Sequence, residues 1–165
     1  MAGKIKTPNT FQRFLHRIAM LRPVTAFFAP RIHRLDKALL ELTNGRHSVL
    51  ELLGWPIIEI TSIGAKTNLP RSLPLVGIFD EDKIALIASS FGRAHNPGWY
   101  YNLKVHPECE VLFNGRIGKY IARETEGDEY YHYWRRAVSL YTGYEKYKER
   151  AVHRHIPVMV LEPKK

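Results

Sequence analysis

The chain has 165 residues, 45% hydrophobic and 12% aromatic, with a formal net charge of +9. That length predicts one domain with a sound core of its own. The lone cysteine, Cys109, excludes an intramolecular disulfide and points to a reducing compartment, so a cytoplasmic protein is expected. An N-terminal apolar run followed by a cleavage site is missing, which argues against a signal peptide. A run of ~18 uncharged apolar residues is also missing, which argues against a spanning helix.

The charge is uneven. In residues 1–50, nine basic side chains stand against only Asp36 and Glu41, so seven of the nine net charges lie there. Nucleic-acid binding would account for such a balance. The chain has no helix-turn-helix spacing, no zinc-ligand spacing and no aromatic ribonucleoprotein-type strand, so no nucleic-acid partner is expected.

Residues 1–6 read as a disordered tail, and 7–55 as a helical segment. Thr7-Pro8 opens a helix with Phe11, Phe14, Leu15 and Ile18 on one face, and Pro23 ends it. Its off-face residues Arg13, His16 and Arg17 are basic or ionisable, so it suits an anionic membrane surface or packing on its own domain. This makes a peripheral site at the inner face of the membrane one expected location. A second helix carries Ile32, Leu35, Ala38, Leu39 and Leu42 and closes at Asn44-Gly45.

From Pro56 the period becomes strand-like. Strands are predicted at 57–63, at 72–79 with Pro74 marking an edge or bulge, and at 83–89 after the turn Asp80-Glu81-Asp82. Residues 64–71, GAKTNLPR, form a turn. Asn96-Pro97-Gly98 leads into a short helix from Pro97 to His106, stopped by Pro107. Strands at 108–113 and 116–124 meet at Asn114-Gly115, a strong hairpin signal. A helix over 127–141, a shorter one through Tyr147 and a strand over 156–162 complete the chain. Six mostly antiparallel strands with helical flanks predict a mainly β, α+β architecture: a small barrel whose mouth is a ligand site. Neither a GxGxxG nor a P-loop string occurs.

The stretch GRAHNPGWYYNLKVHP, from Gly92 to Pro107, combines a helix start with Trp99, Tyr100, Tyr101 and the amide of Asn102. Free backbone N–H groups suit an anion, and ring faces suit a flat ligand; alternatively Trp99 and Tyr100 are simply core. Lys66 and Arg71 flank the turn before the second strand. An arginine grips phosphate through two parallel hydrogen bonds, and a lysine acts as a point charge. His132, His153 and His155 lack the further ligands a metal site needs, so no metal is expected and they read as surface residues.

The order ITSIGAKTNLPRSLPL, ALIASSFGRAHNPGWYYNLKVHP, YTGYEKYKER and HIPVMVLEP, spanning Pro56 to Pro163, resembles the deazaflavin-dependent nitroreductase family. The resemblance implies a split β-barrel of the FMN-binding type over residues 56–165. It also implies coenzyme F-420, an 8-hydroxy-5-deazaflavin with a phosphate and an oligoglutamate tail. On that resemblance Lys66, Thr67 and Arg71 hold the phosphate and tail. Pro74 lies against the ring, and Ala88, Ser89, Ser90, Trp99, Tyr100 and Asn102 line the site. Ala65 and Asn68 depart from the family's Arg and Gly, which removes one cationic contact. Ser90 and Phe91 also depart from the usual residues.

The cofactor carries the hydride, so the protein orients it rather than supplying a nucleophile. The resemblance implies hydride transfer to an electron-poor small molecule: a nitro compound, a quinone or an activated alkene. Tyr141, Tyr144 and Tyr147, at i, i+3 steps, resemble the family's substrate-side tyrosines. A phenol there can donate a proton, or the three can be a packing face. Two alternatives stand beside this reading: an FMN-dependent oxidoreductase on the same barrel, and a non-catalytic carrier of a lipid or other apolar ligand. Loss of Lys66 and Arg71 would have favoured the carrier. The oligomeric state is not legible.

Overall fold

Alternation in IIEITSI puts Ile58, Ile60 and Ser62 on one side of a strand, and all three are buried. The structure, a computed structural model, describes residues 55–164. It contains strands β1 (Ile57–Ile63), β2 (Pro70–Val76), β3 (Ile78–Asp80), β4 (Lys83–Ile87), β5 (Glu108–Phe113), β6 (Arg116–Glu124) and β7 (Val158–Pro163). Helices α1 (Gly98–Val105), α2 (Gly127–Leu140) and α3 (Gly143–Arg150) accompany them, with a 3-10 turn at Ser90–Gly92. The predicted tail and the two N-terminal helices lie outside the described residues.

All seven strands join one antiparallel sheet in the order β2-β1-β5-β6-β7-β4-β3. Its two edge strands, β2 and β3, are consecutive in the chain and separated only by Gly77. The sheet must therefore curl until its edges meet, which gives the half-barrel. The strand expected over 72–79 is thus two strands, and the count is seven rather than six. Gly77 makes the corner. Its N–H bonds to the Pro56 carbonyl at 2.9 Å. A Cβ there would lie 3.0 Å from Ile84 and 3.1 Å from Ile58. Pro74 falls on edge strand β2, as its missing donor requires. Asn114 and Gly115, with φ of 50° and 73°, form the predicted hairpin turn.

The sheet separates two apolar layers. Ile58, Ile60, Ile84, Leu86, Val111, Met159 and Leu161 fill the concave side with Trp99 and Leu103 of α1. Ile78, Ala85, Ile87, Val158 and Val160 face the other way, under Tyr130, Tyr133, Trp134 and Ala137 of α2 and the aromatic side chains of α3. On the surface, Lys83 and Arg123 share Glu162, and Arg123 grips Glu129 through two bonds of 2.7 Å. These partners hold the Glu162 and Glu129 carboxyls below the usual range. Whatever stability they contribute is present above that range and lost as pH falls through the lowered values. Such half-exposed pairs contribute little. His132 bonds Asp80 at 2.9 Å and fastens α2 to β3.

Candidate functional site

The mouth of the half-barrel is built where β1 turns into β2. The Gly64 carbonyl accepts the N–H groups of Thr67 and Asn68, and the Gly64 N–H bonds to the Leu69 carbonyl. Asn68 takes a left-handed φ of 53°, a conformation Asn tolerates better than most residues. A side chain at Gly64 would collide with the Thr67 hydroxyl at 2.6 Å and touch the Arg71 stem at 3.7 Å. The bare glycine lets Thr67 and Arg71 close over it. Arg71 pairs across the ladder with buried Ser62, so it stands on the concave face of β2, at the mouth.

Helix α1 holds this turn in place. The Asn102 amide oxygen accepts the Ala65 N–H at 3.0 Å, and its nitrogen lies 3.5 Å from the Ser62 hydroxyl. One side chain thus ties the basic turn, the barrel interior and the helix together. Neither Lys66 nor Arg71 has an ion-pair partner among the described residues, and both are exposed. Two exposed cations without ion-pair partners among the described residues thus stand over one hydrogen-bonded turn.

The other predicted residues occupy different places. Ala88 is fully buried beside Trp99 and Leu103. Trp99 is itself a core residue, 6% exposed. The Tyr100 hydroxyl donates to Glu124 at 3.0 Å, and the same carboxylate oxygen takes the Lys104 ammonium at 3.0 Å. Burial and that carboxylate raise the Tyr100 phenol above its ordinary range. Pro74 sits opposite Glu59, on the face of β2 away from Arg71. Ser89 and Ser90 belong to the loop that runs from β4 to α1. Cys109 is buried in the inner layer, where desolvation pushes its thiol up to about 12, an inert state.

The three tyrosines form one buried cluster under α3. The Tyr141 and Tyr147 hydroxyls meet at 3.3 Å. Tyr144 packs edge-on against both and tilts toward Trp134. Its hydroxyl takes no partner among the described residues. Burial raises all three phenols, so they stay protonated near neutrality. Phe91 of the β4–α1 loop lies against Tyr147 at 5.8 Å between ring centres, which brings the cluster to the back of that loop.

Two residues that tie the surroundings of the candidate site together escaped the sequence reading. Ser62 occupies an inward slot after Ile58 and Ile60, and a hydroxyl at a core position of an alternating strand was a legible signal. Arg154, within the His153-Arg154-His155 run, bonds to partners 58 to 66 residues earlier in the chain. No local pattern announces such contacts. Among the described residues no group of three or more His, Cys, Asp or Glu is placed to hold a metal ion. No described helix is long and apolar enough to cross a membrane. A small cavity of about 40 Å³, lined by Phe79, Asp82, Phe113 and Arg116 among others, lies at the opposite end of the barrel and is too small for a ring system.

A curled antiparallel sheet with two exposed cations on the turn at its mouth is the layout of a split-barrel protein of the flavin and deazaflavin type. Residues 32–163 match the family model described as F420H(2)-dependent quinone reductase, and the chain belongs to that family. A quinone reductase of that name from Mycobacterium tuberculosis H37Rv is 31% identical over 134 residues, covering 78% of this chain and 87% of the relative. The solved F420-H2 dependent reductase FDR-A is 36% identical with a TM-score of 0.60, covering 65% of this chain and 94% of its own. A structure described as a domain-swapped dimer is 33% identical with a TM-score of 0.62, covering 78% of this chain and 95% of its own. The haem storage protein HutZ of Vibrio cholerae, 11% identical with a TM-score of 0.51, shares the fold alone.

The protein is therefore an oxidoreductase, and its cofactor is coenzyme F-420. The donor set fits that group: a phosphate and an acidic tail need cations without partners, and the turn at 64–71 holds two. FMN remains only a side option.

Proposed function

We propose that the protein reduces a quinone, or a similarly electron-poor nitro compound or alkene, at the expense of reduced F-420. The observation that carries this is the Asn102 tether, which sets two unpaired cations at the mouth of an apolar barrel. The quinone is favoured because the related Mycobacterium tuberculosis protein bears that name. When bound, the reduced deazaflavin supplies the hydride. Lys66, Thr67 and Arg71 bind the anionic end, and the fork of Arg71 fits a phosphate. Asn102 and Ser62 hold the turn in register with the mouth. Tyr144 keeps a proton on its hydroxyl near neutrality and can donate to an acceptor oxygen. The apolar wall excludes water from the transfer.

Titration with oxidised F-420 and with FMN, followed by fluorescence, tests the cofactor. Saturable deazaflavin binding that FMN does not displace is expected. Reduced F-420 should then be reoxidised by quinones in a protein-dependent way. Tight FMN binding without deazaflavin binding would overturn the reading. Binding of apolar ligands with no affinity for either coenzyme would make the protein a carrier.

The protein also meets an anionic membrane surface from the cytoplasmic side, on our proposal. Support comes from the apolar series Phe11, Phe14, Leu15 and Ile18 and from the charge gathered in residues 1–50. Each basic residue near such a surface contributes ~1 kcal/mol. Co-sedimentation with anionic vesicles should be lost on deletion of residues 1–22, with the melting temperature kept. A truncated protein that unfolds would show instead that the segment belongs to the core.

A further inference from the structure

The loop from Ala88 to Asn96 joins β4 to α1 in a shape its own sequence disfavours. Ser90, Phe91 and Gly92 have φ of 47°, 56° and 77°, three left-handed residues in succession, two of them with side chains. Gly92 is also pressed against α3: a Cβ there would lie 2.6 Å from the Arg150 Cβ and 2.8 Å from the Tyr147 carbonyl. Within the loop, backbone bonds run only from Gly92 to Ser89 at 2.9 Å and from Arg93 to Ser90 at 3.1 Å. The Ser89 carbonyl thus has one donor within the loop, and the carbonyls of Ala88 and Arg93 take theirs from elsewhere.

Arg154 supplies them. Its Nε donates to the Arg93 carbonyl at 2.8 Å, and one terminal nitrogen donates to the Ser89 carbonyl at 2.7 Å. The other terminal nitrogen reaches the Ala88 carbonyl at 3.3 Å, the His155 carbonyl at 3.2 Å and the Asn96 side-chain oxygen. The guanidinium so spans the loop from its first residue to the one before Pro97. Arg154 is itself anchored, since its N–H bonds to the Ala151 carbonyl just beyond α3. A planar fork reaches acceptors on both sides of the loop at once, with the two hydrogens of one terminal nitrogen shared among three oxygens, and a lysine cannot.

We propose that Arg154 is a positioning residue for the coenzyme site: its guanidinium clamps the 88–96 loop in the shape that presents Ser89 and Ser90 to the deazaflavin. This rests on the functional reading above, together with the resemblance that counts Ser89 and Ser90 among the residues lining the site. The clamp also couples the cofactor side to the tyrosine helix, because the same loop rests on Tyr147 and Arg150.

The test uses Arg154→Lys, which keeps the charge and loses the fork, and Asn96→Ala, which removes one acceptor and leaves the guanidinium. Three quantities are read on each full-length variant: amide exchange in the cofactor-free protein, the dissociation constant for oxidised F-420, and the melting temperature. Arg154→Lys should speed exchange at Gly92 and Arg93 while the strand amides hold. Its dissociation constant should rise about tenfold or more, the scale on which small misplacement acts. Asn96→Ala should move both in the same direction by less, and it carries the test if Arg154→Lys does not fold. Faster loop exchange with unchanged F-420 affinity would overturn the proposal, since the loop would then not form the site. Faster exchange throughout the sheet would overturn it too, by showing a general structural role. Wild-type protein that fails to bind F-420 would sink the functional reading and this inference with it. That control separates the failure from failure of the clamp alone.

Discussion

Arg71→Ala is expected to weaken F-420 binding by roughly 1.5–3 kcal/mol, or about 10- to 150-fold in dissociation constant, as loss of a charge-assisted hydrogen bond requires. Lys66→Ala should act in the same direction and by less, because an ammonium on an open turn is a point charge without the fork. Neither side chain has an ion-pair partner in the folded protein among the described residues. Their removal should therefore leave the melting temperature nearly unchanged, and that separates a binding role from a structural one. Wild-type affinity should fall as salt rises, with a smaller slope in Arg71→Ala, because one screened contact is gone. Fluorescence titration at several ionic strengths measures all of this. If both variants bind like wild type, the anion does not sit on this turn. Arg71→Lys is a useful third variant: it keeps the charge beside Ser62 and should recover only part of the affinity.

The Asn102 tether gives the turn variants a natural counterpart. Asn102 contributes no charge, yet it holds the Ala65 N–H and reaches Ser62. The turn is thus held by a helix whose own aromatic residues have other partners in the folded protein. Trp99 fills the barrel and Tyr100 spends its hydroxyl on Glu124. The helix is an organiser: the side that wedges Trp99 and Leu103 into the barrel also carries Asn102, which grips the 64–71 turn.

Much of this architecture was legible in the chain. The alternation in residues 57–63, the Asn114-Gly115 turn and the helix after Asn96-Pro97-Gly98 each carry a local physical cause, and each falls within a residue or so of its predicted bounds. The split at Gly77 was not legible. A glycine inside an apolar run signals a bend, a bulge or nothing, and only the meeting of the two edge strands makes it a barrel corner. The basic turn was legible as chemistry because cations near a glycine turn suit an anion whatever the fold. Arg154 was hidden for the opposite reason: its acceptors are backbone carbonyls, which every residue has. The aromatic run from Trp99 to Tyr101 invited one role for three rings, whereas helical geometry sends Trp99 inward and leaves Tyr101 half exposed.

The late tyrosines divide in a way that the i, i+3 spacing conceals. Tyr141 and Tyr147 face each other hydroxyl to hydroxyl, and Tyr144 keeps its own hydroxyl without a partner among the described residues. Of the three, Tyr144 is the phenol whose hydroxyl is not engaged by another of the cluster. Tyr144→Phe removes that hydroxyl and keeps the ring, so the packing against Trp134 should hold and the melting temperature should barely move. Affinity for F-420 should hold as well, since on the proposed reading its anionic end sits at the 64–71 turn. Acceptor turnover should fall by ~10²–10⁴-fold if the phenol is the obligate proton donor. Burial raises the Tyr144 phenol, so the wild-type rate should not decline through loss of this proton as pH approaches the ordinary tyrosine value of 10.0. Tyr144→Ala should in addition raise the Michaelis constant for the acceptor, by opening the pocket wall. Packing alone forecasts the reverse order: the Phe variant keeps its rate, and the Ala variant loses stability first. Tyr147→Phe serves as the internal control, because it breaks the bond to Tyr141 and should cost stability before turnover. Steady-state rates with quinone, nitro and enone acceptors, measured beside melting temperatures, decide between the two. Unchanged turnover of Tyr144→Phe with every acceptor would leave that residue as a wall of the pocket and nothing more.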